Sequence, residues 1–129
     1  MSAATVLLVE DNPENREIYG TFLRHYGYEV LEALDGAEGV RMARESLPRL
    51  VLMDVGLPVL DGLEATRRIK ADPRTAAIPV VALTAHAMDS DRDAARAAGC
   101  DGYVSKPAEP TRVLAVVRTF LDLAPLPAA

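Results

Sequence analysis

The stretch that most limits how this chain can fold is Leu50-Val51-Leu52-Met53-Asp54-Val55-Gly56-Leu57-Pro58. Four apolar residues lead into one carboxylate, and a glycine and a proline then break the run. A continuous apolar run of this length, closed by turn residues, reads as a strand buried on both faces of a parallel sheet. A carboxylate at its carboxyl end would lie at the rim of that sheet, where open α/β folds bind ligands. Burying Asp54 alone is costly, so it needs a cation, other polar groups, or both as partners.

The rest of the chain has the same alternating grammar. Thr5 to Val9 is a β-branched and aliphatic run that Glu10-Asp11-Asn12-Pro13 ends, and Asn12 followed by Pro13 is a good helix start. That helix would turn Ile18, Phe22 and Leu23 inward and stop near Gly27. Tyr28 to Leu31 reads as a weaker strand. Asp35-Gly36 opens a helix with Ala37, Val40 and Ala43 or Leu47 facing inward, and Pro48 ends it. After Asp54, Asp61-Gly62 is a turn. Leu63 to Ala71 is a helix with Leu63, Thr66 and Ile69 at helical spacing, terminated by Asp72-Pro73.

Ile78 to Leu83 is a fourth strand, ending at Thr84. Asp89 to Ala98 is an alanine-rich helix with a thin apolar face, expected to be the least firmly held. Tyr103-Val104 is a short fifth strand, ending at Ser105-Lys106-Pro107. The last helix begins at Glu109 or Pro110, with Val113, Val116, Val117, Phe120 and Leu121 on its inner side. Five strands alternating with five helices mean a parallel sheet covered on both faces. The expectation is one domain over residues 1–129, with a core over about 5–123 and a tail from Ala124 to Ala129 that reads as frayed or as a truncated linker.

Composition closes off several classes of function. The formal net charge of −5 argues against non-specific binding to nucleic acid or to an anionic membrane surface. One cysteine, Cys100, cannot form an internal disulfide, and it reads as a small buried apolar residue. No apolar run approaches a membrane span, and the amino terminus lacks a signal-peptide layout. A cytoplasmic protein is expected. Lys70 and Lys106 are the only lysines, which singles out both.

Parallel topology brings the groups after the strands to one rim: Glu10 and Asp11, Asp54, Thr84 and Lys106. Three carboxylates gathered there either raise one another's pKa or share a divalent cation. All-oxygen ligation suits Mg²⁺, which keeps several waters and accepts a phosphate oxygen. A hydroxyl and an ammonium add a donor and a compact positive charge. The arrangement reads as a phosphoryl site with a carboxylate nucleophile, and Asp54 is the candidate. An ionised carboxylate needs charge neutralisation more than a general base, so no histidine base is required.

Five motifs, in order, then identify the chain as resembling a receiver domain of two-component response regulators. They are Val9-Glu10-Asp11-Asn12, Leu52-Met53-Asp54 with Pro58, Asp61-Gly62, Leu83-Thr84-Ala85 and Ser105-Lys106-Pro107. The resemblance covers residues 5–123. It implies a flavodoxin-like, doubly wound (βα)5 fold with strand order 2-1-3-4-5. It also implies that Asp54 is the phosphoacceptor. Glu10 (through water), Asp11, Asp54 and the backbone carbonyl of Gly56 would hold Mg²⁺, with Mn²⁺ able to substitute. Thr84 would bond a phosphoryl oxygen, and Lys106 would pair with the phosphoryl group or, before phosphorylation, with Asp54. Tyr103 matches the aromatic switch position, although core packing is an equal reading. Gly56 and His86 lie where the family tunes hydrolysis, although His86 also reads as merely exposed. The Lys106-Pro107 bond would be cis.

The motif style resembles stand-alone cell-cycle receivers and receivers of hybrid kinases. The implied donor is a phosphohistidine on a histidine kinase or histidine phosphotransfer protein, and the domain itself would catalyse the transfer and later hydrolysis. The implied output is a downstream protein docking on the face formed by the fourth helix, fifth strand and fifth helix, with the domain a monomer or weak dimer. The same motifs would fit a receiver cut from a hybrid kinase. A flavodoxin-like cofactor binder lacks support, because acids stand where its phosphate loop belongs. A haloacid-dehalogenase-like phosphatase would need a second aspartate where Gly56 stands. Constitutive binding by an unphosphorylated receiver remains a further reading. Asp89, Asp91 and Asp93 lack the glycine and distal glutamate of a calcium loop and read as a helix start.

Overall fold

The computed structural model describes residues 4–57, 59–85 and 88–123. Five strands and five helices alternate along the chain: β1 (Thr5–Val9), α1 (Pro13–His25), β2 (Glu29–Ala33), α2 (Gly36–Ser46), β3 (Leu50–Asp54), α3 (Gly62–Ala71), β4 (Val80–Thr84), α4 (Asp89–Ala98), β5 (Gly102–Ser105) and α5 (Pro110–Leu123). The strands form one parallel sheet in the order β2-β1-β3-β4-β5. This is the flavodoxin-like fold implied by the sequence motifs.

Alternation along the strands divides the core into two layers. Val6, Leu8, Leu50, Leu52, Val81, Leu83 and Val104 face α1 and α5, where Tyr19, Leu23, Val113, Val117 and Leu121 meet them. Leu7, Val9, Val51, Met53 and Val80 face α2 and α3, against Val40, Ala43, Ala65 and Ile69. All five residues of β3 and all five of β4 are buried, as a strand covered on both sides requires. In α4, only Ala95 and Ala98 are buried, which bears out its thin apolar face.

Local chemistry sets the helix starts. Asn12 accepts from the Glu14 and Asn15 amides, with Pro13 in the first turn. Asp35 caps α2, and Asp61 caps α3 through the Leu63 and Glu64 amides. Gly62 lies so close to β3 that a Cβ there would overlap the Asp54 carbonyl and sit 2.8 Å from Val55 Cα. Glycine thus lets α3 begin directly behind the end of β3.

Several sequence expectations need correction. In α1 the buried stripe is Tyr19, Gly20 and Leu23, while Ile18 is 50% exposed. The Tyr19 hydroxyl donates to the Ala108 carbonyl at 3.0 Å, so this polar aromatic can go inside where Ile18 was expected. In α2, Ala37 is exposed and Gly36 and Gly39 are buried instead. Leu47 is exposed because it caps α2 in the left-handed conformation, φ 47°. β2 begins and ends later than expected, running through Glu32 to Ala33. Leu63 and Cys100 are half-buried rather than core.

Candidate functional site

The parallel sheet sets the rim. Val9 of β1 pairs with Met53 of β3, so Glu10 follows β1 level with Asp54 at the end of β3. Asp54 pairs with Leu83, which places Thr84 one step further along β4, beside Ser105 of β5. The Lys106 amide donates to the Thr84 carbonyl at 2.6 Å, and the Lys106-Pro107 bond is cis. Glu10, Asp11, Asp54, Thr84 and Lys106 are therefore delivered to one place by three inner strands and an edge strand.

Carboxylate oxygens of Glu10, Asp11 and Asp54 lie within 4.8 Å of one another. Glu10 is fully buried, Asp54 nearly so, and Asp11 exposed. Lys106 Nζ reaches across them: it is 2.7 Å from Glu10 Oε1 and 3.4 Å from Asp54 Oδ2. The expected Lys106–Asp54 contact is present, but the shorter one is to Glu10. Asp54 Oδ1 accepts from the Gly56 amide at 3.1 Å, and Glu10 Oε2 from the Asn12 amide at 3.3 Å. Thr84 is buried at the rim. A Cβ at Gly56 would meet nothing within 4 Å, so the space beside Asp54 is open there.

Electrostatics follow from this crowding. Burial, and then the hydrogen bond and charge of Asp54, push the Glu10 pKa up to about 7, against the pull of Lys106. For Lys106, burial alone would lower the pKa; the hydrogen bond to Glu10 and the charges of Asp54 and Glu10 outweigh it and raise it. One ammonium thus faces a buried acid pair with a third acid at the solvent edge. That donor set, all oxygen, partly buried and open on one side, fits a small hard dication with water ligands. Glu10, Asp11 and Asp54 are the residues that could hold it.

The Tyr103 ring is half-buried on β5, with the Arg92 guanidinium carbon 5.3 Å from its centroid. His86, Pro58 and the tail from Ala124 to Ala129 lie outside the described residues. Two supporting residues escaped the sequence reading. Arg16 Nη1 donates to the Glu10 carbonyl at 3.0 Å, and Arg16 Nε lies 3.3 Å from Glu32 Oε1, pinning the loop that carries both acids. Tyr19 fixes the segment after Lys106 through Ala108. An arginine one helical turn past an acidic loop is the only trace of the first in the sequence; nothing foretells the second. Lys70, the other lysine, holds the backbone rather than the site, since its ammonium bonds the Ala76 and Ile78 carbonyls and Asp101 Oδ2.

A five-stranded parallel sheet in this order, with acids, a threonine and a lysine at its carboxyl rim, defines a CheY-like α/β domain. Residues 6–118 match the response regulator receiver domain family, and the chain belongs to that family. It is similar to the polar-differentiation response regulator DivK of Brucella anthropi, with 38% identity over 117 residues, spanning 91% of this chain and 95% of DivK. DivK of Brucella ovis matches with the same identity and coverage. Among solved structures, the receiver domain of a sensor histidine kinase from Pseudomonas aeruginosa has a TM-score of 0.86 and 38% identity, covering 93% of this chain and 98% of that one. That structure holds a magnesium ion in its active-site cleft. The chemotaxis protein CheY4 of Vibrio cholerae has a TM-score of 0.87 at 27% identity, covering 92% and 98%. The protein is a receiver domain of two-component signalling, a class that works with histidine kinases or phosphotransfer proteins. No helix among the described residues is long and apolar enough to cross a membrane.

Proposed function

We propose that this receiver accepts a phosphoryl group from a phosphohistidine donor onto Asp54 and, so modified, changes which protein it binds. An Asp54 oxygen attacks phosphorus, the P–N bond to the donor imidazole breaks, and an acyl phosphate forms on Asp54. Lys106 supplies positive charge to a phosphoryl oxygen, and Thr84 donates its hydroxyl to another. Asp11, Asp54 and the Gly56 carbonyl, with Glu10 through water, would hold magnesium, which would supply the neutralisation that lets two anions approach. Water later attacks phosphorus and frees Asp54, and the open space at Gly56 gives that water access. His86, two residues past Thr84 in the sequence, would tune this step.

One observation supports this reading above the others: Lys106 spans Glu10 and Asp54 while Asp11 closes the acid cluster at the solvent edge. The buried acid pair is held apart from a purely structural role by its open face. On modification, Thr84 would draw the loop after β4 toward the site, and Tyr103 and α4 would follow, altering the α4-β5-α5 face. A second reading, a receiver attached to a kinase, is supported by the equal 38% identity to DivK and to the sensor-kinase receiver. The site chemistry is the same in both.

Incubation with acetyl phosphate and Mg²⁺ tests the chemistry by intact mass. One phosphoryl mass is expected, absent in Asp54→Asn and absent with EDTA. A gain that survives Asp54→Asn unchanged overturns the assignment.

A further inference from the structure

Arginine dominates the cations of this acidic chain, and most arginines are neutralised. Arg16 and Arg24 pair with Glu32, Arg41 with Glu45, Arg44 and Arg74 with Asp72, and Arg67 and Arg68 with Glu64. A groove of about 330 Å³ between α4, β5 and α5 breaks the pattern. Arg92, Arg96 and Arg112 converge on it from two helices, with Tyr103 in its wall. Among the described residues, neither Arg92 nor Arg112 is paired with a carboxylate, and Arg96 has only a loose, exposed contact at 3.9 Å to Asp93. The acid in the groove, Asp101, is already engaged: its Oδ2 accepts from Lys70 Nζ at 2.8 Å and from the Val80 amide at 2.9 Å. The floor therefore adds little charge to offset three guanidinium groups.

We propose that this groove binds carboxylates and docks an acidic segment of the partner protein. The inference rests on the reading of the α4-β5-α5 face as the output surface and gives that surface a chemistry. Guanidinium forks match carboxylates in paired hydrogen bonds. Arg92 is held over the Tyr103 ring, so one fork is already oriented and loses less freedom on binding. Protein is favoured over nucleic acid because the rest of the surface is acidic: with a net charge of −5, a phosphate backbone longer than the groove would be repelled beyond it. Movement of Tyr103 or α4 would change the spacing of the three arginines, tying this recognition to the state of Asp54.

The test is a titration of the ¹⁵N-labelled full chain with a short oligo-glutamate peptide, with and without acetyl phosphate and Mg²⁺. Shifts should cluster at Arg92, Arg96, Gly102, Tyr103 and Arg112. Affinity should fall about tenfold in Arg92→Ala/Arg112→Ala and stay unchanged in Arg67→Ala/Arg68→Ala. Both variants should still gain the phosphoryl mass on Asp54. Equal losses in the two variants, absence of binding, or tighter binding of an oligothymidylate of the same charge overturns the proposal. So does a dimer in sedimentation that the groove variant abolishes, which would give the groove to a second copy. Binding at the groove that ignores phosphorylation upholds the carboxylate chemistry and sinks only the coupling to Asp54.

Discussion

Lys106 bonds two acids at once, yet its charge does not offset what burial and the neighbouring Asp54 do to Glu10. Its folded pKa of about 7 lies above the ordinary 4.5, so the folded state binds the proton more tightly than the unfolded chain. The sign follows: folding loses stability as pH rises from about 4.5 through about 7, and the loss is complete above that. Chemical denaturation of the metal-free protein should show lower stability at pH 8 than at pH 5. Glu10→Gln should be flatter over this range, and magnesium should restore stability at pH 8. A wild-type slope identical to that of Glu10→Gln would show that Glu10 does not titrate there. At this scale the sequence was most readable. Asp54, Asp11, Thr84 and Lys106 each stand at a strand end, and parallel topology alone sends such ends to one rim. What could not be read was the ranking of contacts, because the shorter Lys106–Glu10 bond depends on how far a flexible side chain reaches.

At the scale of elements, Gly62 ties the start of α3 to the end of β3. A methyl group there would overlap the Asp54 carbonyl, which is backbone and cannot swing aside. Gly62→Ala should destabilise the protein by about 2–4 kcal/mol and slow phosphorylation, because the strand end carrying Asp54 must shift. Wild-type stability and phosphorylation rate in that variant would contradict the packing described. Element type and order were legible because runs of aliphatic residues alternate with capped helices. The errors have particular causes. A helical period permits neighbouring stripes, and a hydroxyl meeting Ala108 tipped α1 toward Tyr19 over Ile18. Glu32 hid the end of β2, since a charged residue breaks the apolar run; on this edge strand it stays partly exposed and bonds Arg16 and Arg24. Leu47 adopts a left-handed cap where glycine is usual, so its exposure had no sequence signal.

For the whole molecule, the two apolar layers need no metal to form, whereas the acid cluster gains from one. Magnesium that binds only the folded state should therefore act as a stabiliser without altering the fold. At free magnesium about 100-fold above its Kd, stability should rise by about 2.7 kcal/mol, and EDTA should reverse the gain. Circular dichroism should stay the same while the melting temperature moves. A melting temperature indifferent to magnesium at pH 8 would argue against the cluster as a cation site.

The strand order also divides labour across the sheet. β1 and β3, whose ends deliver the acids, are each bonded on both sides, whereas β5, which carries Tyr103 and leads into Lys106, lies at the margin and is only four residues long. An anchored centre can keep the acid cluster in place while the outlying ribbon and α4 shift by small amounts. Chemistry and message are thereby kept on different footings: the part that must not drift is clamped in the middle, and the part that must be heard elsewhere sits where motion is cheap.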